Sequence, residues 1–138
     1  MNGSPLLTIV LITMNRAEQL KEALESCLAC MLPKETEFVI IDNMSTDNTE
    51  EVVRATLGKA DYPFYYEKLC ENIGCGGGRN YAFSKANGTY IYVLDDDAVI
   101  DEKNPDFFTK AISIMDMHTE VITLTTQIYD NAWGKNRL

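Results

Sequence analysis

Residues 6–12 read Leu-Leu-Thr-Ile-Val-Leu-Ile. A strand so apolar along its length needs cover on both faces, the condition of a parallel sheet held between helices. The next segment agrees. Ala17, Leu20, Ala23, Leu24, Cys27, Leu28 and Met31 recur at three- and four-residue steps and make one apolar helical stripe. Asn15 stands where it can cap that helix, and Pro33 lies just past its end. Residues 37–41 predict a second strand. A second helix then runs to Leu57, with Glu50 and Glu51 in its first turn and Gly58 to close it. Two strand–helix pairs in succession predict parallel strands joined by right-handed crossovers.

The rest of the chain extends the pattern. Residues 64–69 predict a third strand. The glycine-rich segment 71–80 follows, reading as a loop that ends in Arg79 and Asn80, and a helix runs on to Asn87 with Gly88 as its cap. This segment does not fit G-x-G-x-x-G in a first strand–helix turn, so it is no dinucleotide fingerprint. Tyr90-Ile91-Tyr92-Val93-Leu94 predicts a buried fourth strand, and Asp95, Asp96 and Asp97 follow it at once. Asn104 and Pro105 open a helix carrying Phe107, Phe108, Ala111, Ile112 and Met115 on one side. Residues 121–125 predict a fifth strand, and residues 130–138 show no pattern. At 138 residues the chain makes one α/β domain with one core.

Three carboxylates at the end of a buried strand repel one another and call for a cation. Mg²⁺ or Mn²⁺ takes oxygen ligands and shares them with substrate phosphates. Open α/β sheets bind ligands outside the carboxyl ends of their strands. The triplet therefore reads either as a metal–diphosphate site or as a solvated acidic turn. A net charge of −9 and a pI of about 4.5 exclude a nucleic-acid binder with a basic face. No apolar run approaches the roughly 20 residues of a membrane span, and Met1-Asn2-Gly3-Ser4-Pro5 has no signal-peptide pattern, so a cytoplasmic location is expected. Cys27 and Cys30 form C-x-x-C at the end of a helix, where the dipole does not lower a thiol pKa. A zinc site joining them to Cys70 and Cys75 is the alternative to simple burial.

Four loops occur in order along the predicted strands: Thr13-Met14-Asn15-Arg16, Asp42-Asn43-Met44-Ser45-Thr46-Asp47, Asn72-x-Gly74 with Arg79-Asn80, and Leu94-Asp95-Asp96-Asp97. Together they resemble the N-terminal half of a family 2 glycosyltransferase of the GT-A fold, from about Leu7 to about Thr125. The resemblance implies a Rossmann-like three-layer sandwich with a mainly parallel sheet that binds a nucleotide-diphosphate sugar, UDP-, GDP- or dTDP-linked. Carried over by position, Thr13 and Asn15 lie beside the nucleoside, and Asp42 or Asn43 meets the base edge. Arg79 stands near the nucleotide or holds its loop. The D-x-D motif maps to Asp95 and Asp97. Asp95 and Asp96 face the ribose, and Asp97 holds Mg²⁺ or Mn²⁺ with Asp95 beside it.

The sequence departs from the family where Ile12 and Met14 replace a common proline and tyrosine, and where Asn43 replaces a common second aspartate. The chemistry implied is inverting transfer of a sugar to a saccharide or lipid-linked acceptor, within cell-wall or polysaccharide synthesis. The general base of such a reaction is expected beyond Leu138. Residues 1–138 then form a donor-binding domain without an acceptor portion, incomplete for catalysis alone and given to self-association through an uncovered sheet edge. Two other classes remain: a non-catalytic binding or assembly module on the same fold, and a haloacid-dehalogenase-type phosphatase. The latter places its Asp-x-Asp after the first strand, where this chain has Thr13-Met14-Asn15.

Overall fold

The computed structural model describes residues 4–130 and 135–137. The elements run β1 (Leu7–Thr13), α1 (Ala17–Leu28), β2 (Thr36–Asp42), α2 (Thr49–Leu57), β3 (Phe64–Lys68), α3 (Gly74–Lys85), β4 (Tyr90–Val93), α4 (Phe107–Met117), β5 (Ile128–Asp130) and β6 (Lys135–Arg137). The first four strands form one sheet in the order β3-β2-β1-β4, and every pairing in it is parallel. β5 and β6 form a separate antiparallel pair.

Strand alternation sorts the core into two layers of contact. Leu7, Ile9 and Leu11 of β1 and Phe38 and Ile40 of β2 point to one face. There they meet Leu20, Leu24 and Cys27 of α1, Val53 and Leu57 of α2, and Phe108 and Ile112 of α4. Val10, Val39 and Ile41 point to the other face and pack on Ala82 of α3. β1 is thus covered on both sides, as its composition demands. The result is a three-layer α/β sandwich with helices on both faces.

Six expectations are corrected. Asn15 does not cap α1: its φ is 53°, and its side chain turns to the loop after β2. Met31 lies past the end of α1 and is exposed. The glycine-rich segment is helical from Gly74 onward, because Ala82 and Gly78 dock on the sheet and tertiary packing overrides weak propensity. Gly88 does not cap α3. It is needed because a Cβ there would stand 2.6 Å from the backbone nitrogen of Thr8. Residues 121–125 form no strand: they have β-forming side chains but no neighbour to pair with, and Ile122 is 92% exposed. The start of α4 also shifts, from Pro105 to Phe107.

Candidate functional site

In the order β3-β2-β1-β4 the chain reverses direction across the sheet between β1 and β4, and ligands of open α/β sheets bind at that switch point. Parallel pairing brings the ends of β1, β2 and β4 to one side. Backbone ladders continue past the strands there, from Leu94 N–H to Val10 C=O and from Asn43 N–H to Thr13 C=O. A cavity of about 280 Å³ opens at this end, between Arg16, Cys75 and Arg79 on one side and Asp95, Asp96 and Asp97 on the other.

The repulsion within the triplet is answered by two arginines. Arg16 Nη1 donates to Asp97 Oδ2 at 2.7 Å and to Asp96 Oδ1 at 3.2 Å. Arg79 Nη2 donates to Asp95 Oδ1 at 2.5 Å. The charge of Asp96 and the hydrogen bond that Arg16 donates to Asp97 push the Arg16 pKa up, against an opposing effect of burial. Asp96 is buried, whereas Asp95 and Asp97 have side chains 63% and 56% exposed. Arg16 stands in the first of the four loops, where no local pattern gives it a role. The signal for one lay in topology, because β1 and β4 are neighbours.

The other loop residues build the frame. Asp42 is buried, with Oδ1 accepting from Ser45 N–H at 2.7 Å and Oδ2 from the Tyr66 hydroxyl at 2.7 Å. Burial and the Asp42 carboxylate both raise the Tyr66 pKa, so that hydroxyl stays a donor. Asn43 accepts from Ile73 N–H at 3.0 Å and donates to Gly74 C=O at 3.2 Å, tying the second loop to the start of α3. Asn15 Oδ1 accepts from Thr46 N–H at 2.7 Å, and Asn15 N–H donates to Ser45 Oγ at 2.8 Å. Asp47 accepts from Ala17 N–H at 3.2 Å, and so supplies the cap of α1 from another loop. Among the described residues the Thr13 hydroxyl and Arg79 Nε are buried without a hydrogen-bond partner. Thr13 ends β1 and Arg79 reaches the cavity from α3, and a buried polar atom left unpaired has an unmet need for a partner.

Of the residues singled out from sequence, Arg79, Asp95, Asp96 and Asp97 therefore meet around the cavity. Thr13, Asn15, Asp42 and Asn43 do not line it but form the loops beside it. Asp101, Asp106, Asp116 and Glu120 are absent from its lining, and His118 sits past α4, 3.3 Å from Glu120. All four cysteines are free; burial pushes the Cys27 thiol up to about 12, which makes it inert.

Among the described residues no group of three or more His, Cys, Asp or Glu side chains converges as a metal cage, and the four cysteines form no such group. Mg²⁺ and Mn²⁺ sites of the substrate-sharing kind need only one or two carboxylates, with water and phosphate oxygens completing the shell. The exposed oxygens of Asp95 and Asp97 fit that donor set.

The family model described as "Glycosyl transferase family 2" matches residues 8–138. An uncharacterized glycosyltransferase of Methanocaldococcus jannaschii is 32% identical over 127 residues, covering 91% of this chain and 42% of its own. Among solved structures, S. aureus TarS in complex with UDP-GlcNAc aligns with a TM-score of 0.73 at 27% identity, over 83% of this chain and 32% of its own. The mannosyltransferase PcManGT from Pyrobaculum calidifontis, in complex with GDP-Man and Mn²⁺, aligns with a TM-score of 0.74 at 25% identity, over 83% and 33%. The chain thus spans roughly a third to two fifths of the length of the proteins it matches. The three-layer sandwich is the GT-A fold of these neighbours, and with nearly all of its length inside the family match, the chain belongs to glycosyltransferase family 2.

Proposed function

We propose that this chain is the donor-binding domain of a glycosyltransferase and holds a nucleotide-diphosphate sugar through a divalent metal. The observation that carries this reading is the meeting of Asp95, Asp96 and Asp97 with Arg16 and Arg79 at the sheet's switch point. Relatives of the fold in complex with UDP-GlcNAc and with GDP-Man and Mn²⁺ support the ligand class.

In this reading Asp97, with Asp95 beside it, holds Mg²⁺ or Mn²⁺. The ion, once bound, supplies Lewis-acid stabilisation to the negative charge that develops on the departing diphosphate, worth several kcal/mol in such sites. Arg79, paired with Asp95, stabilises that diphosphate by charge-assisted hydrogen bonds. Asp95 and Asp96 face the ribose. Thr13, whose buried hydroxyl lacks a partner, and Asn15, Asp42 and Asn43 take the nucleoside side. Transfer proceeds with inversion by direct displacement at the anomeric carbon, to a saccharide or lipid-linked acceptor. The reading assigns no general base, since no other carboxylate lines the cavity.

Calorimetric titration with UDP, GDP and dTDP, with and without Mn²⁺, tests it. Metal-dependent binding of one nucleotide, lost in Asp97→Ala, is the expected result and identifies the base. No affinity for any of the three overturns the reading in favour of a non-catalytic module on the same fold.

A further inference from the structure

Among the described residues, Arg16 alone grips two members of the triplet at once. It reaches Asp96 and Asp97 from the loop after β1, and the Asp97 contact at 2.7 Å engages the carboxylate proposed to hold the metal. Arg79 takes only Asp95, at the opposite end of the triplet. The two cations thus bracket the three anions, and each carboxylate is paired with a guanidinium. A divalent ion approaching Asp97 meets a fixed positive charge already hydrogen-bonded to that carboxylate. To bind, it must either take its place or share the carboxylate at close range.

We propose that Arg16 is a resident counter-ion of the acidic triplet, which keeps the divalent metal from loading alone and hands its place over when metal and diphosphate arrive together. This rests on the donor-site reading above. The triplet carries three negative charges and the two arginines carry two positive ones. A bare divalent ion adds two more positive charges to a site already nearly balanced. A metal–diphosphate pair brings its own negative charge, so the guanidinium can leave Asp97 for a phosphate oxygen without losing a charged partner. Arginine suits both partners, because its planar fork matches carboxylate and phosphate alike. Its side chain is 49% exposed, which leaves it room to swing. The consequence is coupling between metal and nucleotide. By linkage, nucleotide must tighten metal binding by the same factor as metal tightens nucleotide binding. Arg16 is a positioning residue in this scheme.

The test is Mn²⁺ binding to the intact chain, followed by the paramagnetic resonance of free Mn²⁺, with Mn²⁺ alone and with Mn²⁺ plus the nucleotide identified by calorimetry. Arg16→Gln removes the charge, and Arg16→Lys keeps it as a point cation. For Mn²⁺ alone, Arg16→Gln should bind on the order of tenfold more tightly than wild type, the scale expected when a unit charge is removed a few ångströms from a divalent ion near a surface. Arg16→Lys should stay near wild type, which also shows that the loop tolerates substitution. The factor by which nucleotide tightens Mn²⁺ should fall in Arg16→Gln. Unchanged or weaker binding of Mn²⁺ alone in Arg16→Gln, with nucleotide-linked Mn²⁺ binding intact in wild type, overturns this inference and leaves the donor site standing. Neither Mn²⁺ nor nucleotide binding in any variant overturns both.

Discussion

At the scale of single residues the second loop shows what a sequence conceals. Its wealth of capping residues was legible, yet Asp47 caps two helices, taking Ala17 N–H of α1 and Thr49 N–H and Oγ1 of α2. The α1 cap comes from 30 residues away, so no local pattern could assign it, and Asn15 was the nearer choice. Burial works against the charge on Asp47, but the Thr49 hydroxyl and the Ala17 and Thr49 amides outweigh it and hold its pKa below the usual carboxylate value. The sign follows. A carboxyl whose pKa is depressed by folding adds stability above its unfolded value, roughly 3.9, and that stability is lost as pH falls through the folded value. Asp47→Ala should therefore cost about 1 kcal/mol at neutral pH, the typical worth of a cap. In urea melts at pH 7 and at pH 3 the gap between variant and wild type should narrow at the lower pH. A gap that does not change with pH would mean that Asp47 acts through packing and not through charge.

At the scale of elements α3 is the instructive case. β1 was legible because its residues are apolar almost throughout, β2 because of its unbroken run Phe38-Val39-Ile40-Ile41, and α1 because its stripe is regular. α3 begins Gly-Cys-Gly-Gly-Gly, with neither stripe nor cap, and its first turns read as a loop. Close approach to the sheet explains the composition. A Cβ on Gly78 would stand 2.8 Å from Ile12 Cγ2, whereas one on Gly76 would meet nothing within 4 Å. Arg79 follows Gly78 directly, so the depth at which α3 seats also sets where that guanidinium meets Asp95. Gly78→Ala should destabilise by about 1–3 kcal/mol as the helix is pushed outward, and should weaken nucleotide binding. Gly76→Ala, in the same helix, should stabilise by roughly 0.5–1 kcal/mol by restricting the unfolded chain and raising helix propensity. Urea melts of the two variants, with opposite displacements of the midpoint, check the pair. Equal effects would show that α3 does not seat on Ile12 as described.

At the scale of the whole molecule, the order of the four loops carried the fold, because each loop ends a strand and parallel pairing gathers those ends. The missing fifth strand was not legible, because residues 121–125 have the composition of a strand but composition does not supply an edge to pair with. β4 is consequently an edge of the described sheet, bonded on one side to β1. Its Ile91 is in register with Thr8, on the face where α3 covers Val10, Val39 and Ile41, yet Ile91 itself remains 44% exposed. An open strand carrying an exposed branched apolar side chain is a template for pairing with another chain. The chain should therefore self-associate: its light-scattering mass should rise above the monomer's 15.5 kDa as concentration increases. Ile91→Lys places a charge on that edge and should return the mass to the monomer value without lowering the urea midpoint, since the side chain is half solvated already. A variant that still associates would move the contact to another exposed apolar site, with Ile122 and Ile128 the next to change. A wild-type mass of 15.5 kDa at every concentration would show that the edge is guarded by its own twist and needs no partner.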